Sequence, residues 1–142
     1  MGYTHFWHLN KKGNQKNYNS ALKDIKAIIQ SKKDILADGS GEKDSKPETK
    51  KCISFNGIEE ESHETFFIPN KLAELEGDGF VFQFCKTARK EYDSVVVACI
   101  TVLKHHLGDD VKVSSDGDPD ELQAGCDLAK AILKKDMNHP LG

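Results

Sequence analysis

The apolar positions of this chain fall into short alternating runs and longer helical stripes. From Tyr3 to Leu9, Tyr3, His5, Trp7 and Leu9 share one face and Thr4, Phe6 and His8 the other, which predicts a strand. A polar turn around Gly13 and Asn14 follows. Tyr18, Leu22, Ile25, Ile28 and Ile29 then recur at helical spacing, with lysines and Asp24 opposite. This is an amphipathic helix for which Asn17 or Asn19 can serve as cap. Residues 38–51 carry almost no apolar side chain and cannot bury enough surface to order themselves, so they predict a mobile loop within the domain.

Cys52–Phe55 and Glu64–Ile68 read as two strands, the second ended by Pro69, which has no N–H for a ladder. Phe80–Cys85 is a third, aromatic strand. Within Tyr92–Leu107 the run Val95 to Ile100 leaves no polar face, as in a central, buried helix; its β-branched content keeps a strand open as the alternative. Gly108 suits the end of that helix, and Val111–Val113 is a short strand. Asp118-Pro119-Asp120-Glu121 then supplies an N-cap, a first-turn proline and a capping-box glutamate. Leu122, Cys126, Ala129, Ile132 and Leu133 form the buried stripe behind it. The order β-α-β-β-β-α-β-α predicts an α+β fold, a mainly antiparallel sheet with three helices packed on it.

Length sharpens this to one domain spanning residues 1–142, large enough for a core without staples. The net charge of −3 argues against a nucleic-acid polymer as partner. No apolar run approaches the roughly 18 residues that span a bilayer. The opening residues fit neither a signal peptide nor a myristoylation site, since Phe6 stands where Ser or Thr is required. The expected setting is therefore cytoplasmic, with no membrane partner. Cys52, Cys85, Cys99 and Cys126 form no C-x-x-C pair and are expected to be free thiols.

Three clusters could carry chemistry. Lys86, Thr87 and Arg89, with Tyr92 and Asp93 beyond, lie between a strand end and a helix start, where cations and free N–H groups suit an anion; the alternative is a solvated loop. Ser114, Ser115 and Asp116 precede the Asp118 cap and could hold ribose hydroxyls; the spacing of a calcium loop is not reproduced. Tyr3, His5 and Trp7 could stack a planar base or could be core. Asn56-Gly57 signals a turn, and the Asn56 amide could face a ligand. A binding role for all these residues requires the three stretches to converge around one cavity.

Catalytic motifs are missing: no phosphate-binding loop, nucleophile elbow, zinc-protease motif or paired carboxylates. Cys85 with His5 or His63 could form a thiol–imidazole pair, although nothing in the sequence places them together. His105 and His106 are neighbours in a helix and do not share a face. No catalytic residue, metal or cofactor is expected.

The residues so assembled resemble a family of small tailed-bacteriophage proteins of unassigned function that open Met-Gly-Tyr-Thr-His-(Tyr/Phe)-Trp. Here that reads Met1 to Trp7, and the resemblance continues through Phe55-Asn56-Gly57, Glu64 to Pro69, Phe84 to Arg89, Tyr92-Asp93 and Ser114 to Asp118. It covers nearly everything outside residues 38–51. The resemblance implies a viral protein acting in the cytoplasm of an infected bacterium. The expected function is non-catalytic binding of a small anionic or nucleotide-like ligand, with sequestration of a nucleotide-derived immune signal as one form of it and a homo-oligomer as one way to enclose it. Direct inhibition of a host protein and a Cys85-dependent hydrolase or transferase are the alternatives.

Overall fold

The structure, a computed structural model, describes residues 3–142; Met1 and Gly2, which open the phage-like motif, lie outside the described residues. The elements are β1 (Thr4–Asn10), α1 (Gln15–Ser31), β2 (Cys52–Phe55), β3 (Phe66–Pro69), β4 (Phe80–Lys86), α2 (Asp93–Leu107), β5 (Val111–Ser115) and α3 (Pro119–Leu133), with single 3-10 turns between some of them. This is the expected α+β fold and order. The strands divide into two sheets. β1 is the centre of a three-stranded sheet of order β4-β1-β5, and β2 and β3 form a separate hairpin. All pairings are antiparallel, and the register sets Phe6 opposite both Phe84 and Ser114.

Local chemistry accounts for the helix starts. The Asn14 carboxamide accepts from the Asn17 backbone N–H at 3.0 Å, so α1 begins before its apolar stripe does. Gln15 holds that first turn in place, accepting from the Leu72 N–H and donating to the Asn70 carbonyl. Asp118 caps α3 as its sequence signature predicts. Its side chain accepts from Glu121 N–H at 2.8 Å, and Glu121 reaches back to Asp118 N–H.

Alternation along the strands separates two environments. The inner face of the three-stranded sheet turns Trp7, Leu9, Val81, Cys85 and Val111 into the core. α2 is buried almost all round because it packs against α1, α3 and β5. The β2–β3 hairpin joins the core through rings. Trp7 stacks on Phe66 and Phe66 on Phe55, each with centroids 5.0 Å apart, and Tyr92 meets Phe55 edge-on at 6.5 Å. The outer face carries Phe6, His8, Phe80, Phe82 and Phe84, and among the described residues no element packs over it. No described helix is long and apolar enough to cross a membrane.

Residues 37–51 return to the hairpin at two places. Ala37 exchanges backbone hydrogen bonds with Asn56, and Glu48 does so with Ser54, all between 2.9 and 3.0 Å.

Gly125 of α3 lies tight against α2, where a Cβ would overlap the Val97 side chain. Gly125→Ala tests that packing. Helix propensity alone predicts a gain of about 1 kcal/mol. Overpacking against Val97 predicts a loss of about 1–3 kcal/mol. The expected outcome is a net loss, read as a lower urea midpoint at unchanged slope; a raised midpoint would show that α2 and α3 do not pack this closely.

Candidate functional site

The sequence-predicted residues separate into three groups. Tyr3, His5, Thr87, Arg89, Ser115 and Asp116 come together at the end of the sheet where β1 begins and β4 and β5 finish. Lys86 and Ser114 sit beside them but on the outer face, both exposed. Trp7, Asn56 and Tyr92 are core or loop brackets and offer no polar group to that rim.

The rim is built from backbone upward. β5 continues its pairing past Ser115: Asp116 N–H donates to the Thr4 carbonyl at 2.9 Å, and Thr4 N–H donates to Asp116 Oδ2 at 3.1 Å. Thr87 N–H donates to the Tyr3 carbonyl at 3.1 Å, which closes the other side. The chain then turns through Ala88 and Arg89 with φ of +52° and +56°. Two successive side-chain-bearing residues in this left-handed region cost about 1–3 kcal/mol each. The turn lays the Arg89 guanidinium over the Tyr3 ring, 3.9 Å from its centroid, and pairs it with Glu121 at 3.0 Å. The Tyr3 hydroxyl reaches Gly117, where a Cβ would overlap it. Burial, then the neighbouring Asp93 carboxylate, pushes the Tyr3 hydroxyl up to about 12.

Beneath this rim lies a buried hydrogen-bond chain. His5 has no solvent-exposed surface. Its Nδ1 is 2.8 Å from Ser115 Oγ and its Nε2 is 2.6 Å from Asp93 Oδ1. Thr87 donates its hydroxyl to the same Asp93 oxygen, and Gly117 N–H donates to Ser115 Oγ at 2.9 Å. Asp93 opens α2, so a carboxylate already faces the positive end of the helix dipole. The predicted gathering of Lys86 and Arg89 about an anion at this helix start is therefore not what the geometry shows. Arg89 turns to Tyr3 and Glu121, and Lys86 projects from the outer face.

Asn56 is consumed by its own loop. Its Oδ1 accepts from Gly57 and His63 N–H at 2.8 and 2.9 Å, and its Nδ2 donates to the His63 carbonyl at 2.9 Å. Tyr92 donates its hydroxyl to the Glu64 carbonyl. Cys85 is fully buried, its Sγ 3.4 Å from the same carbonyl, and burial, then the Glu64 charge, pushes its thiol up to about 12. It is protonated at neutral pH and is not poised as a nucleophile. Nothing in the spacing of residues 5, 93 and 115 shows that they meet. That contact comes from β1 lying at the centre of the sheet. The outer-face phenylalanines carry no separate signal in the sequence, because an aromatic strand normally reads as core.

Clefts lie elsewhere. One of about 710 Å³ is bordered by Gln15, Lys23, Lys26 and Lys71, and another of about 570 Å³ runs beside β4, bordered by Cys52, Phe67, Leu75 and Phe82. Among the described residues no cluster of side chains is suited to hold a metal ion. Comparison with known protein families, curated proteins and solved structures finds no match to the chain.

Two measurements check these placements. Asn56→Ala leaves buried groups unpaired and should lower stability by about 3 kcal/mol, the upper range for one such loss; a ligand-facing amide would leave the urea midpoint unmoved. Cys85 in the folded protein should resist iodoacetamide at pH 8 and react only on unfolding, by peptide mass mapping; prompt native alkylation would show the thiol to be accessible and reactive.

Proposed function

We propose that the protein binds a planar, phosphorylated, nucleotide-like ligand on the outer face of its three-stranded sheet. As a phage protein in a bacterial host, it would withhold such a ligand from host defence; the sequence resemblance supports that setting. The observation that carries the binding reading is the uncovered aromatic face. Phe82 lies 5.7 Å from Phe6, 5.0 Å from His8 and 5.4 Å from Phe84, ring centroid to centroid. Lys112 covers Phe80 at 4.2 Å, which leaves the other rings as the platform. In single-strand nucleic-acid binders such a platform contributes about 1–3 kcal/mol per stacked base. Lys86, Ser114 and Asp116 border it at the Phe6–Phe84 end, so a cation for phosphate and acceptors for ribose hydroxyls lie beside the stacking surface.

Stacking therefore falls to Phe6, Phe82 and Phe84 in place of Tyr3, His5 and Trp7, whose rings are buried. The face is open rather than enclosed, and a second copy laid over it would exclude water from the ligand. A protein partner is the second reading. It is favoured by Phe67, 47% exposed on the hairpin, which extends the apolar surface beyond what a single base needs.

Calorimetric titration with nucleoside monophosphates, diphosphates and cyclic dinucleotides tests the proposal. Phe82→Ala with Phe84→Ala should weaken binding by roughly 10-fold or more, about 1–3 kcal/mol. Denaturation of the complex should return the ligand unaltered. Failure of every nucleotide to bind the unmodified protein would retire this reading in favour of the protein partner.

A further inference from the structure

The buried chain from Asp93 through His5 to Ser115 takes no part in the binding proposed above, and its geometry points to a second property. We propose that Ser115 is an activated nucleophile, with His5 as its general base and Asp93 as the group that orients the imidazole. An ionised carboxylate can only accept, so in the neutral ring Nε2 carries the proton given to Asp93 and Nδ1 presents its lone pair to Ser115. The Ser115 hydroxyl must then donate to Nδ1 while it accepts from Gly117 N–H. Serine hydrolases use the same three groups with the two ring nitrogens exchanged, and the order base, imidazole, hydroxyl is what the chemistry requires. Asp93 is fixed in turn by Thr87. Ser115 and Asp93 are both half-buried, while His5 between them is wholly buried.

Two features favour a reactive role: the imidazole is shielded from water, and the carboxylate end is secured by a second donor. The substrate class is an activated acyl or phosphoryl ester. With a fluorophosphonate as electrophile, Ser115 Oγ attacks phosphorus, the Oγ–P bond forms and the P–F bond breaks. Fluoride leaves with the bonding pair, and the hydroxyl proton passes to His5 Nδ1, giving an imidazolium held by Asp93.

The test is labelling of the full chain with diisopropyl fluorophosphate, located by peptide mass spectrometry. Ser115 should carry the label at a rate roughly 100-fold or more above Ser114, the range a positioned general base supplies. Urea-unfolded protein should lose the selectivity, and Asp93→Asn should slow labelling at least about 10-fold. An unlabelled Ser115 in the folded wild-type protein, or equal labelling of Ser114, overturns the proposal whatever the variants do. Undiminished labelling in a folded Asp93→Asn protein overturns it as well. Nucleotide binding on the outer face is read separately, because Phe82 and Phe84 do not touch this chain and Ser115 does not line that face.

Discussion

His5 lies near the start of the central strand with no exposure to solvent, and each of its ring nitrogens is spoken for: one by Ser115 at the end of β5, the other by Asp93 at the start of α2. These partners stand 110 and 88 residues away along the chain. An imidazole buried without either partner would leave a polar nitrogen unpaired in a low-dielectric interior, which is costly. The hydrogen bonds therefore hold the central strand, the last strand and the buried helix in one arrangement. The rim above inherits its shape from them. Tyr3 packs edge-on against His5 with centroids 5.0 Å apart, Arg89 lies on Tyr3, and Glu121 of α3 closes on Arg89.

The same strand divides the molecule's chemistry between its two faces. Inward, Trp7 starts the ring stack that ties the hairpin to the sheet, and α2 fills the space behind with small and β-branched side chains. Outward, Phe6 and His8 meet the phenylalanines of β4 with nothing above them among the described residues. A one-residue slip of β1 would exchange these two sets. It would also take His5 out of reach of Asp93. The pairing of a buried imidazole and an open aromatic platform is thus one consequence of one register.

Much of the fold was legible because its signals are local. The capping box at Asp118 and Glu121, the stripe of α1 and the apolar run of α2 each depend on residues within a few positions of one another. The N-cap of α1 was misplaced to Asn17 or Asn19 because the polar first turn, Gln15 to Asn17, gives no apolar signal; its anchoring to Leu72 and Asn70 is tertiary. The strands of the hairpin were legible, but their separation from the main sheet was not, since pairing partners are not encoded locally. The site was legible in part. Residue type drew attention to Tyr3, Arg89 and Ser115, which share one end of the sheet, Arg89 lying on the Tyr3 ring. Trp7 shares the inner face with Tyr3 and His5 but lies further along β1, where the hairpin ring of Phe66 covers it. Asp93 was noticed only as a neighbour of Tyr92, whereas contact makes it a partner of His5.

Nitrogen NMR of the histidine rings tests the His5 contact most directly. With both hydrogen bonds in place, His5 should show a protonated Nε2 that exchanges slowly with water and an unprotonated Nδ1 accepting from Ser115. A His5 ring averaging between tautomers would contradict the bracket on which the rim rests, and a proton carried on Nδ1 would contradict the reactive serine.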